Sequence, residues 1–260
     1  MKKIFISIII TIISLFLIIG GAFIFLKENN YLVTPQTEEE TLKAEIVGVE
    51  PAKETTEFSN EKKVVMPRKF KLEVPFTSQA PGMSAPWPED FDEACEEAAI
   101  LIVDAYIKGK KLTPEVVKNE ILKMLNFQEN NYGERNKDLE AEEVAKLVKD
   151  FYGYSNIRVG YDNEISIEAI KKEIFAGNPV ILPAAGRKLN NPYYSGEGPL
   201  YHMLVAVGWD ETEDEIITND PGTKRGEGFS YKYDVLLNAL HEWNGGAVDN
   251  GRSAMIIIQK

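Results

Sequence analysis

The stretch HMLVAVGWDETEDEIITNDPG, residues 202–222, reads as two short strands joined by an acidic turn. Apolar residues dominate 202–209, and a second apolar run at 215–218 is closed by Asn, Asp, Pro and Gly, so an antiparallel hairpin is expected. With the turn centred near Thr212, residue 202 faces residue 222. Position 220 then lies one diagonal step away on the same face, about 7–8 Å between backbones and within side-chain reach. Asp220 is therefore expected to hold His202, and a one-residue slip of register would present Asn219 instead.

Upstream of the hairpin the period changes. DEACEEAAILIVDAYIKG (92–109) is expected to be one helix, with acids in its first turn, Ala98, Ile102, Ala105 and Tyr106 at helical spacing and Gly109 as a stop. Thr113 and Pro114 form a cap and first-turn pair, DLEAEEVAKLVKDFYG (138–153) is amphipathic, and Ser166 caps a helix that Gly177 closes. KLEVPFTSQ (71–79), NPVILPAA (178–185) and SAMIII (253–258) read as strands, and YDVLLNALHEW (233–243) as a helix. Helices first and strands later is the α+β pattern.

The chain has 260 residues, 44% of them hydrophobic, with a net charge of -12, a composition that is globular and argues against a nucleic-acid footprint. Its single cysteine excludes an intramolecular disulfide and any multi-cysteine metal or cluster site. Residues 4–26 carry neither charge nor proline, long enough to cross about 30 Å of hydrocarbon as a helix. The run is too long, and too little interrupted by a small-residue cleavage site, for an ordinary signal peptide, so residues 1–27 are expected to be an uncleaved signal anchor, with secretion after cleavage as the alternative. Residues 28–69, rich in Glu, Thr and Lys, are expected to be a flexible stalk, and 70–260 one folded extracytoplasmic domain. From residue 28 on, 26 basic residues stand against 41 acidic ones, a net of -15, which would attract basic peptides at low salt.

Chemistry must come from one thiol and two imidazoles. Cys95 falls in the first turns of its helix, where free N–H groups and the dipole favour a thiolate, while Asp92, Glu93, Glu96 and Glu97 oppose one. Taken alone, Cys95 reads as a small buried hydrophobe, His202 as a strand-end imidazole and Asp220 as a turn former before Pro221. Taken together, they form a nucleophile, a base and an orienting acid. Gln79, 16 residues before Cys95, supplies a side-chain amide that could aid the Cys95 N–H in stabilising an oxyanion, although by itself it is an ordinary polar loop residue. His241 reads as a helix-face residue. No close ligand pair supports a metal site, and DETEDE (210–215) lacks the spacing of a calcium loop. The glycines of YYSGEG (193–198) would permit a flap over a cleft.

The order VPFTSQ, Trp87, EACEEAAILIV, YHMLVAVGWD, TNDPGT and YKYDVLLNAL resembles the C39-like branch of papain-fold cysteine peptidases, relatives of the bacteriocin leader peptidases, over about residues 70–260. The resemblance implies a papain-like fold with Cys95 as nucleophile, His202 as general base, Asp220 as orienting acid, Asn219 being its alternative, and Gln79 as oxyanion donor. It implies a peptide or protein substrate and no cofactor or metal. The chain departs from the pattern in the proline-rich loop 80–90, in Glu96 and Glu97 beside the nucleophile, and in the insertion RKLNNPYYSGEGPLY (187–201). A tethered peptide-binding module without turnover, or an acyl- or amide-transferring enzyme, would use the same residues.

Overall fold

Ten consecutive buried residues, Tyr201–Asp210, make a strand that polar solvent touches on neither face. In the computed structural model, which describes residues 65–259, this strand (β4) is the centre of a seven-stranded antiparallel sheet. The strands are β1 (Lys69–Lys71), β2 (Ile157–Tyr161), β3 (Val180–Ala185), β4, β5 (Glu215–Asn219), β6 (Phe229–Lys232) and β7 (Ala254–Ile258). They run in the order β2-β7-β3-β4-β5-β6, with β1 paired to the far end of β4. The expected anchor and most of the expected stalk lie outside the described residues, among which no helix is long and apolar enough to cross a membrane.

Period-two alternation sends β4 side chains to two cores. Met203, Val205 and Val207 pack with the helices α2 (Cys95–Lys108), α3 (Pro114–Tyr132) and α4 (Ala141–Leu147), while Leu204, Ala206 and Trp209 pack with α5 (Ile167–Phe175) and α6 (Tyr233–Ala239). Each such aliphatic side chain contributes on the order of 1.5–3 kcal/mol by burial. The helix signals expected from sequence appear as hydrogen bonds: Thr113 Oγ1 accepts from the Val116 N–H at 3.3 Å, Ser166 Oγ from the Ala169 N–H at 3.1 Å, and Gly109 ends α2 in the left-handed region at φ 63°.

Several expected elements differ. The single helix expected over 92–109 is broken: a one-turn helix α1 (Glu89–Asp92) closes on the Glu93 N–H to Glu89 O bond, and Ala94, at φ -103° and ψ 31°, lets a new helix begin at Cys95. The expected strand 71–79 pairs only at Lys69–Lys71; Pro75 has no N–H to give, and the chain turns away after the Leu72 N–H to Val207 O bond. The helix expected to run to Trp243 stops at Ala239, because the following backbone pairs sideways, Glu242 N–H to Arg252 O at 2.8 Å. Strands β2 and β6 were not expected, and β2 interrupts the expected run of helices before strands.

The hairpin carries the most consequential local feature. Near its turn, Asp210 pairs with Glu215 and Gly208 with Ile217; beyond a bulge at Val207, Ala206 pairs with Thr218 and Val205 with Asn219. The extra residue in β4 shifts the register by one, and that register, continued past the last pair, would set residue 202 opposite 222, as the reading centred on Thr212 expects. Gly208 allows the arrangement, since a Cβ there would stand 2.4 Å from the Phe70 carbonyl oxygen of β1.

Candidate active site

Cys95 is the first residue of α2, with its side chain 6% exposed at the floor of a cleft of about 1030 Å³. Its N–H is one of the four that a helix start leaves without an internal acceptor. His202 and Gln79 line the same cleft. His202, at the start of β4, is buried, and its Nε2 lies 2.8 Å from Asp220 Oδ1. With Nε2–H donating to that carboxylate, Nδ1 is left as the basic nitrogen, and among the described residues it makes no hydrogen bond.

Asp220 is wholly buried, and its second oxygen is saturated by donors that the sequence did not point to. Oδ2 accepts from Tyr194 OH at 2.7 Å, from Asn191 Nδ2 at 3.1 Å and from Tyr231 OH, and Oδ1 also accepts from the Gly222 N–H at 3.0 Å. Burial works against its charge, yet His202 and the tyrosine hydroxyls hold the carboxyl below its ordinary value. Asn191 and Tyr194 come from the insertion that departs from the family pattern, so this loop braces the acid. Tyr194 also meets the His202 ring edge to face, with centroids 5.4 Å apart. Nothing local in sequence flags these partners, because they meet Asp220 only through tertiary folding.

Asn219, the alternative orienting residue, points elsewhere. Its Nδ2 donates to the Val74 and Pro75 carbonyls at 3.1 and 3.3 Å, and its Oδ1 accepts from the Gly228 N–H. Its role is to pin the segment leading to Gln79 against β5. Gln79 is fixed at the cleft by its N–H, bonded to Pro221 O at 2.9 Å, next to Asp220 in sequence. Its side-chain Nε2 donates to the Phe91 and Asp92 carbonyls at 3.0 and 2.7 Å, so serving an oxyanion requires one of those bonds to be exchanged. His241 lies on no helix, and it is held by the Gly251 carbonyl at 2.7 Å and approached by Lys188 Nζ. No group of metal-ligating side chains is present among the described residues.

The thiol itself is held by an acid. Cys95 Sγ makes one hydrogen bond, to Glu96 Oε2 at 2.9 Å, and the other oxygen of Glu96 accepts from the Leu139 N–H at 2.9 Å. Burial first, and the Glu96 carboxylate second, push the Cys95 thiol well above its ordinary range. Burial and Glu97 do the same to Glu96. The cleft lining carries both signs of charge: Asp92 and Glu93 at the end of α1 and Asp138 before α4, and Lys224 and Arg225 from the loop after β5. Burial and then the carboxylates of Asp138, Asp92 and Glu89 raise the Glu93 carboxyl, as expected for acids gathered without a cation.

A thiol at a helix start, sharing a cleft with an imidazole backed by a carboxylate, is the constellation that nucleophilic cysteine chemistry employs. The model of the Peptidase_C39 like family matches residues 71–245, and the chain belongs to that family. Among solved structures, a chain from Bacillus anthracis called a C39-like peptidase is 16% identical, with 74% of this chain and 98% of that one covered at a TM-score of 0.48. Xylellain, a cysteine protease from Xylella fastidiosa, is 13% identical, with 75% and 87% covered at a TM-score of 0.31. No curated protein matches the chain.

Proposed function

We propose that this chain is a cysteine peptidase that hydrolyses peptide bonds outside the cytoplasmic membrane, to which residues 4–26 tether it. The observation that carries the reading is the opening of Cys95 and of His202, itself bonded to buried Asp220, onto one cleft. His202 Nδ1 takes the thiol proton, and the sulfur bonds to the scissile carbonyl carbon. The resulting oxyanion is met by the Cys95 N–H and, after exchange of one carbonyl, by Gln79 Nε2. Collapse breaks the C–N bond as His202 returns its proton to the leaving amine, which leaves a thioester. Water, deprotonated by His202, then attacks the thioester and releases the acid and the thiol.

Peptides with basic side chains suit the acidic part of the cleft lining, where Asp92, Glu93 and Asp138 have no ion-pair partner among the described residues. The bond from Cys95 to Glu96 favours a second reading, a tethered peptide-binding module in which the thiol rests unused. Incubation with a peptide library, with new termini read by mass spectrometry, separates the two. Cleavage that disappears in Cys95→Ala and His202→Ala is expected; binding without new termini would establish the module instead. Added amines captured on the new carboxyl side would mark a transferase.

A further inference from the structure

Both oxygens of Glu96 are committed inside the protein, one to the nucleophile and one to the Leu139 N–H, and the side chain is 1% exposed with no cation within ion-pair distance among the described residues. The groups that face it are acidic or neutral from every packed element. Cys95 and Glu97 share its helix, Asp138 and Leu139 come from the segment before α4, Tyr201 comes from β4, and Gln128 of α3 reaches it only through Glu97. Two adjacent buried anions, thiolate and carboxylate, repel strongly in such surroundings. Only one of the pair can be charged at a time.

We propose that Glu96 is the proton gate of the nucleophile: its neutral carboxyl donates to the Cys95 thiolate and leaves that thiolate free to pair with His202, whereas its ionised carboxylate accepts the thiol proton and turns the sulfur away from the imidazole. The observed bond between Sγ and Oε2 is the one contact both states share, with the proton on one side or the other. Burial and Glu97 raise the Glu96 carboxyl well above the usual carboxylate range, which keeps its proton available to the sulfur; both states hold the same single proton, so the sulfur's partners and not pH alone decide between them. The proposal rests on Cys95 being the nucleophile and assigns its regulation to a residue outside the Cys95, His202, Asp220 set.

The test is the rate of Cys95 alkylation by iodoacetamide against pH in the full-length chain, for wild type, Glu96→Gln and His202→Ala. Glutamine keeps a donor for the sulfur and an acceptor for the Leu139 N–H but cannot ionise. The Glu96→Gln profile is expected to move to lower pH by at least one unit, which is about a tenfold faster reaction near neutrality. An unmoved profile, or one moved to higher pH, overturns the gate. Should Glu96→Gln not fold, the buried carboxyl C=O band in the infrared spectrum of the wild type decides: a shift on alkylation of Cys95 supports the gate, and an unperturbed band overturns it. The His202→Ala arm is read separately, since a profile equal to wild type there removes the imidazole from the thiol and leaves the Glu96 result standing.

Discussion

Glu97 offers a stability measurement whose sign is fixed by burial. It is 2% exposed; its Oε1 accepts from Gln128 Nε2 at 2.6 Å, and its Oε2 has no partner among the described residues. Burial pushes this carboxyl from 4.5 up to about 7. Between those values the folded chain binds a proton that the unfolded chain has released. Its contribution to stability is therefore fully present below about pH 4.5 and is lost as pH rises through about 7. At 1.36 kcal/mol per pH unit over roughly 2.5 units, the loss approaches about 3 kcal/mol, a large share of an ordinary folding stability of about 5–15 kcal/mol. Glu97→Gln retains the acceptor for Gln128 and places a neutral amide where the unpartnered oxygen sits. The two proteins are expected to unfold at similar urea concentrations near pH 4.5 and to diverge above it, with the glutamine variant more stable by about 3 kcal/mol near pH 8. Tryptophan fluorescence during urea titration at a series of pH values reads this directly. Parallel stability curves for the two proteins would refute the account of the buried acids on α2.

Three further outcomes follow from the site. Gly222→Ala would place a Cβ 2.7 Å from His202 Cε1 and 3.1 Å from Nε2, displacing the imidazole; kcat/KM on a cleaved peptide is expected to fall by about 100-fold or more with the fold intact, and unchanged turnover would mean the ring is not held where it is needed. Tyr231→Phe removes one hydroxyl from buried Asp220 while keeping the ring against Phe229; a loss of about 1–2 kcal/mol in urea unfolding is expected near neutral pH, and the gap from wild type should narrow below about pH 4, because the wild-type carboxyl, held lower by its donors, loses more stability as it takes up its proton. Cleavage of basic peptides should weaken with salt more steeply in wild type than in a variant carrying Asp92→Asn and Asp138→Asn, and equal salt slopes would detach those acids from substrate binding.

The separation between what local sequence carried and what it did not runs through the hairpin. The pairing of β4 with β5 was legible because alternation and an acidic turn are local signals, whereas the turn pairs centre half a residue beyond Thr212 and the register at the site end matches the expectation only because the bulge compensates. The bulge at Val207 was not read, although Gly208 inside an apolar run is the kind of signal that marks one: a glycine in a strand marks either a bulge or a close backbone, and here it marks both. Without that extra residue the register near the turn would persist, position 202 would fall opposite 223, and the diagonal position would be Pro221 in place of Asp220. That a carboxylate stands beside His202 at all thus depends on a feature five residues along β4. What stayed hidden is of another kind. Asn191, Tyr194 and Tyr231 are ordinary polar and aromatic residues until a loop and an edge strand bring them to Asp220, and Glu96 was legible as an acid opposing a thiolate at Cys95 but not as one buried and bonded to the sulfur. The break at Glu93–Ala94 moves the helix start to Cys95 and turns the next residue inward, so the same change of two backbone dihedrals that gives the sulfur its position also buries the carboxylate beside it. The placements of the Cys95 sulfur and of the Glu96 carboxyl are therefore products of one local event, and a variant that restores a continuous helix through residue 94 should perturb both together.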